Sequence, residues 1–160
     1  MSIETSRSIR KSDESGILCF DGSIISYTSR YYGTFSIPLS EVAVIGEVTN
    51  QNGPGIDDWF IVFVPRCGGG WFEASMYADG CDQFLGQLSA KLGVPMDRSL
   101  YASTDFASCI IWPVRLVGRS VFTFKPVTDS NFLRRLKLRI LPEVSQCLSE
   151  DTLSVIEQGV

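Results

Sequence analysis

The sequence predicts a mainly β (α+β) fold: a curled antiparallel sheet or small barrel capped by one amphipathic helix, followed by a C-terminal extension with additional strands and helix. Three observations lead there. Between residues 16 and 76, short apolar runs alternate with turn residues at hairpin spacing. Over residues 80–92 the apolar period changes from two to that of a helix. The length of 160 residues, 44% hydrophobic and 20% charged, suits about one core and not two.

Residues 1–15 are dominated by Ser, Thr and charged side chains and are expected to form a flexible leader. Ile17-Leu18-Cys19-Phe20 and the run from Ser23 to Thr28 flank Asp21-Gly22, a pair that supplies the positive φ values of a two-residue type I′ hairpin turn. Tyr31, Gly33, Phe35, Ile37 and Leu39 then recur with period two, the pattern of a half-buried strand, and Pro38 marks its end. Val42 to Thr49 reads as a longer strand whose first half is covered on both sides. Asn50 to Asp58, containing Asn52-Gly53-Pro54-Gly55, reads as an exposed loop. Trp59 to Val64 is an unbroken aromatic and β-branched run, expected to be the central strand. Pro65 to Gly70 turns the chain and Trp71 to Ser75 returns it, so six strands on short connections predict an antiparallel meander.

At Asp79, a candidate helix cap, the mode changes. Cys81, Phe84, Leu85, Leu88 and Leu92 fall on one helical face, Asp82 and Lys91 suit the two dipole ends, Gly93 fits the C-terminal cap, and Pro95 forbids continuation. The apolar stripe should pack on the sheet, with Phe84, Leu85 and Leu88 touching residues such as Ile61 and Phe63. Past Pro95, residues 106–112 and 121–125 read as strands. Asn131 to Leu141 is read as a helix ending before Pro142, although Leu136, Leu138 and Ile140 also alternate with Lys137 and Arg139. A last short helix is expected from about Ser149 to Gln158. The expected organisation is a leader over 1–15, the sheet and its capping helix over 16–95, and an extension over 96–160 packed on the same domain. Phe106, Ile110, Ile111, Trp112, Phe122 and Phe124 should then bury against the strands of residues 16–76, and the acidic tail near Glu150 should reach Arg134 and Arg135.

The Asp21-Gly22 hairpin, the junction Ile37-Pro38-Leu39-Ser40-Glu41-Val42, the Trp59 to Val64 strand and the helix from Asp79 to Leu92 together resemble a pleckstrin-homology-like (PH-like) domain, particularly its compact bacterial versions. The resemblance covers roughly residues 16–94. It implies a barrel closed at one end by the helix, and it implies no catalytic activity, because such folds host lipid, peptide and protein binding as well as structural roles. The usual barrel has seven strands where six precede this helix; either one strand bends into two, or the leader or residues 106–125 supply another. Members that bind phosphoinositides place basic residues around the first strand connection. Here that connection is tight and acidic, which argues against a lipid headgroup at that place.

Composition removes several chemistries. Histidine is absent, so Ser-His-Asp and Cys-His sites cannot be built. The five cysteines, Cys19, Cys67, Cys81, Cys109 and Cys147, are scattered without a C-x-x-C pair, and their odd number suits a reducing, cytoplasmic setting better than a disulfide framework. The polar residues 1–16 lack the apolar core of a secretory signal, and no run approaches the roughly 20 apolar residues of a membrane-spanning helix. Neither a metal nor an organic cofactor is expected, and no nucleic acid. Gly68-Gly69-Gly70 lacks the following G-K-[ST] of a phosphate loop and reads as a hairpin turn. Asp57-Asp58 lacks a calcium-loop pattern. Trp59, Phe60, Phe63, Trp71 and Phe72 read as core more readily than as a ligand pocket, and Tyr31-Tyr32 as a ladder position more readily than as a stacking platform.

The net charge is only −4, but seven basic residues lie between Arg115 and Arg139 against the single acid Asp129. Arg134, Arg135, Lys137 and Arg139, interleaved with apolar residues, form the candidate interaction patch. Read functionally, it would dock a protein, a membrane surface or an anion; read structurally, it is the solvated face of a helix packed on the sheet. The expectation is a non-catalytic, intracellular protein-interaction or scaffold module, with binding to an anionic membrane surface through residues 134–139 as the alternative.

Overall fold

The computed structural model describes residues 15–51, 56–101, 103–126 and 144–158. Strands β1 (Ile17–Phe20), β2 (Ile24–Ser29) and β3 (Gly33–Pro38) form one antiparallel sheet in that order. A single 3-10 turn, Leu39–Glu41, leads into β4 (Val42–Thr49), which with β5 (Trp59–Pro65), β6 (Phe72–Ser75) and β7 (Ala107–Trp112) builds a second antiparallel sheet of order β6-β5-β4-β7. Helix α1 (Cys81–Leu92) lies between β6 and β7 in the chain. Strands β8 (Phe122–Pro126) and β9 (Val144–Leu148) pair with each other, and α2 (Glu150–Glu157) ends the described chain.

The six strands before α1 are the six that the sequence predicts, but they are not one meander. Their ladder breaks between β3 and β4, where the 3-10 turn redirects the chain into a separate sheet, and among the described residues neither sheet closes on itself. The hairpin turn also differs from the type I′ expectation. Its central residues are Gly22 and Ser23, and only Gly22 has positive φ, at 95°. Asp21 stands before the turn, where its Oδ1 accepts from the Ser23 N–H and hydroxyl, both at 2.9 Å, and from the Ile24 N–H at 2.7 Å. A carboxylate that closes the turn in this way fixes it one residue later. The same backbone donors hold the Asp21 carboxyl below its ordinary range.

Two cores flank the second sheet. Along β5, Trp59, Ile61 and Phe63 enter one core, shared with Leu18, Ile25 and Tyr27 of the first sheet and with Phe84, Leu85 and Leu88 of α1. Phe60, Val62 and Val64 enter the other, shared with Ile110, Val121, Phe122 and Val155. Every residue of β4 and β5 is buried, which is why β5 reads as a continuous apolar run and not as an alternating one. A register irregularity between Val42 and Val44 sends Val42 to the first core and Ala43 and Val44 to the second. Gly46 marks the tightest packing: a Cβ there would meet the Val121 side chain and lie 2.8 Å from the Cys109 carbonyl oxygen. The Phe84 ring stands edge-on to Phe20 and Phe63, at centroid distances of 6.2 and 6.0 Å, so α1 packs on the expected strand residues.

Helix α1 starts differently from the sequence expectation. Its N-cap is Gly80, with φ of 80° and no side-chain cap, and not Asp79. Asp79 is bound to the first sheet by its backbone: its N–H donates to the Gly16 carbonyl and its carbonyl accepts from the Leu18 N–H, each at 2.9 Å. A Cβ at position 80 would lie 2.7 Å from the Leu18 carbonyl oxygen, so this docking demands glycine. The helix ends as expected at Gly93, whose N–H reaches the Ser89 carbonyl at 2.9 Å.

In the extension, β7 lies alongside β4, and Ile110, Ile111 and Phe122 are buried. Phe124, expected to be buried, is 42% exposed: it shares a strand face with the buried Phe122 but lies two residues further along β8, outside the second core, with its ring at 4.2 Å and steeply inclined to that of Phe106. Strand β9 was not anticipated. The expected last helix is present and is capped by Ser149, which accepts from the Thr152 N–H at 3.2 Å. The expected helix over 131–141 lies outside the described residues, as do Arg134 and Arg135 and hence their expected contact with the acidic tail; among the described residues Asp151 of that tail pairs with Arg119, at 2.9 Å. Among the described residues no helix is long and apolar enough to cross a membrane.

Candidate functional site

The residues that the sequence singles out do not converge. Asp57 is buried and accepts from the Ser75 hydroxyl at 2.6 Å, while Asp58 accepts from the Tyr77 hydroxyl at 2.7 Å, so the two adjacent carboxyls serve different neighbours. The expectation of a wholly exposed loop at 50–58 therefore fails at Asp57, which is 4% exposed. The aromatic set is divided between the two cores: Trp59, Phe63 and Phe72 pack on one, Phe60 and Trp71 on the other. Tyr31 is exposed, with the Arg30 guanidinium 5.9 Å from its ring, whereas Tyr32 packs edge-on against Phe60 at 5.2 Å. Gly68-Gly69-Gly70 lies in the connection from β5 to β6 and leads into a strand. Arg134, Arg135, Lys137 and Arg139 lie outside the described residues. Among the described residues no group of His, Cys, Asp or Glu is arranged to hold a metal.

The structure does assemble a site that the sequence reading passed over. A cleft of about 590 Å³ opens beside the first turn of α1, with Trp59, Tyr77 and Tyr101 as aromatic walls and Asp79, Asp82 and Arg98 at its margin. Its foundation is Glu47, fully buried in β4. One carboxyl oxygen accepts from the Trp59 indole N–H at 2.9 Å; the other accepts from the Ser99 hydroxyl at 2.5 Å and the Leu100 N–H at 3.1 Å. Three donors offset the desolvation that burying such a group costs. They also pin the segment 94–101, which follows α1, over the edge of Trp59. Arg98 on that segment pairs with Asp82, and its guanidinium carbon lies 5.9 Å from the Trp59 ring centroid, while Tyr101 meets the same ring edge-on at 5.3 Å. The missed signal was Glu47 itself. A lone acid in Val44-Ile45-Gly46-Glu47-Val48, a strand covered on both faces, has to be bonded inside the fold.

Cys81, the first residue of α1, borders the cleft. Helix N-termini commonly activate a thiol. Here burial dominates and pushes the Cys81 thiol up to about 11, with Arg98 opposing that shift in part. The group therefore stays protonated at neutral pH. Iodoacetamide should label the exposed Cys19 and Cys67 first, with Cys81 reacting about a hundredfold or more slowly than an ordinary free cysteine of pKa about 8.5. Peptide mass spectrometry over a labelling time course measures this, and Cys81 labelling as fast as Cys19 would contradict it.

Compared with protein-family models, with curated proteins and with solved structures, the chain matches none.

Proposed function

We propose that this chain is a non-catalytic protein-interaction or scaffold module with a PH-like fold, of bacterial type and working in the cytoplasm. The observation that supports the non-catalytic reading is the saturation of the most buried carboxyl among the described residues: both oxygens of Glu47 are taken by donors from Trp59, Ser99 and Leu100 and serve packing. The PH-like part is supported by the order of elements, two antiparallel sheets with an amphipathic helix packed against both, and by β7, which adds a seventh strand from the 106–125 region. The cytoplasmic setting rests on the five scattered cysteines.

The alternative is a peripheral binder of anionic membranes through Arg134, Arg135, Lys137 and Arg139. One observation favours it: the β8–β9 ladder pairs Pro126 with Val144, the two described residues that flank the part of the sequence carrying these four cations. Sedimentation with vesicles containing phosphatidylserine separates the two readings. The interaction-module reading expects the protein to stay in the supernatant and to recover a stoichiometric protein partner by affinity purification from its host at low salt. Salt-sensitive sedimentation, lost when the four cations become Ser, would replace that reading with the membrane one.

A further inference from the structure

We propose that the cleft beside α1 is a receptor for a guanidinium group, taking an arginine side chain of a peptide partner, and that Arg98 is the chain's own occupant of that site. The inference rests on the interaction-module reading and names the chemistry of the partner.

The cleft already holds the kind of group it would recognise. The Arg98 guanidinium is placed over Trp59 at 5.9 Å, within the range of a cation–π contact, while Asp82 supplies the carboxylate. Aromatic face and carboxylate are the two features that select a planar, weakly hydrated cation over a compact ammonium. Asp82 is not rigidly spent on Arg98, since its side chain is 88% exposed and that of Arg98 38%, whereas Trp59 is only 3% exposed and its ring would be offered to a ligand when Arg98 leaves. An exposed pair of this kind is weak, so it can be exchanged for an equivalent pair supplied from outside.

A second carboxylate stands ready. Asp79 lines the same cleft, and among the described residues its side chain makes no hydrogen bond or ion pair, because the hydrogen bonds that place it run through its backbone to Gly16 and Leu18. With Arg98 displaced, Asp79 and Asp82 line the cleft together, two acidic side chains with no basic one among the described lining residues. An anionic ligand is disfavoured by the same count, since Arg98, the one cation among the described lining residues, is already paired with Asp82. The walls themselves are held from behind. Trp59 is fixed by Glu47 and Tyr77 by Asp58, while the segment that carries both Arg98 and Tyr101 is held by the Glu47 bonds to Ser99 and Leu100, so the exchange asks only the Arg98 side chain to move.

Competition between an internal and an external arginine has a measurable signature. Apparent affinity is reduced by the fraction of molecules in which Arg98 fills the site, and removing Arg98 restores it. The test is an NMR titration of the full chain that follows the Trp59 indole N–H signal. The probes are Nα-acetyl-arginine amide and a capped Gly-Arg-Gly-Arg-Gly peptide, with the corresponding all-glycine peptide as control. In Arg98→Ser both arginine probes should shift the signal saturably, the peptide should bind tighter than the amide, and each should bind about tenfold tighter than to the unaltered chain. Asp79→Asn combined with Asp82→Asn should weaken binding by about tenfold or more. All three residues lie at the cleft margin, and the spectra themselves report whether each variant is folded.

No saturable shift in Arg98→Ser would overturn the site while leaving the interaction-module reading to another surface. A shift indifferent to the two Asp→Asn changes would overturn the acidic recognition. Equal affinity for amide and peptide would limit the site to a small cation and count against a peptide partner.

Discussion

Replacing Phe84 with alanine is expected to cost about 3–5 kcal/mol of folding stability, the range for truncating a buried phenylalanine. The ring is 1% exposed and is wedged between Phe20 of the first sheet and Phe63 of the second, so it joins three elements that share no backbone ladder with one another. Neither neighbour can follow an alanine inward, because Phe20 is held by pairing with Ile25 and Phe63 by pairing with Ile45 and Phe72. The cavity therefore persists, and its cost adds to the lost transfer energy. Against a total stability of about 5–15 kcal/mol, the variant would be marginal or unfolded. Urea unfolding followed by circular dichroism measures this; with a slope of about 1–3 kcal/mol per molar, the midpoint should fall by more than about 1 M. Gln87→Ala, on the exposed face of the same helix, should stay within about 0.5 kcal/mol of the unaltered chain. A Phe84→Ala midpoint equal to that of Gln87→Ala would mean that α1 does not hold the two sheets together.

The elements legible in the sequence were those whose signal is local. Trp59 to Val64 announced the central strand because its run of aromatic and β-branched residues is unbroken, and β5 is paired on both edges with every residue buried. The stripe of Cys81, Phe84, Leu85 and Leu88 announced α1 because helical spacing and an end at Gly93 coincide. What escaped depends on partners distant in the chain. The break between β3 and β4 is made by three residues, Leu39–Glu41, whose composition does not distinguish a hairpin connection from a corner between sheets. Strand β9, with Ser145, Gln146 and Cys147 at its centre, has little strand propensity of its own and exists by its ladder with β8. The cap of α1 moved from Asp79 to Gly80 because Asp79 is bound through its backbone to β1, more than sixty residues earlier. The cleft was hidden for the same reason: Glu47 and Trp59 of the second sheet, Asp82 of α1 and Arg98 beyond it are far apart in the chain and are brought together by the fold.

Residues 96–160 expressed alone should show no cooperative thermal transition. The fragment contains β7, β8, β9 and α2, but β7 has its ladder on β4, which would be missing, and Ile110 of β7 and Phe122 of β8 are buried in a core whose other wall is Ala43, Val44, Val48, Phe60, Val62 and Val64. Trp71, whose ring lies 4.8 Å from that of Phe122, would be missing too. What remains of that core in the described part of the fragment is Ile110, Val121, Phe122 and Val155. Such a core falls short of the burial needed to offset an ordering cost of about 1.5 kcal/mol per residue. Circular dichroism on heating should therefore give a shallow, non-sigmoidal change for the fragment and a sigmoidal one for the whole chain. The reciprocal fragment, residues 1–95, should fail differently. It retains the first core and α1 but uncovers Phe60, Val62 and Val64 on the back of the second sheet, together with the unpaired edge of β4, and should bind a hydrophobic dye and associate with itself. A sigmoidal transition from residues 96–160, or a monomeric, dye-silent fragment 1–95, would show that the second core is dispensable and that the two parts fold as separate units.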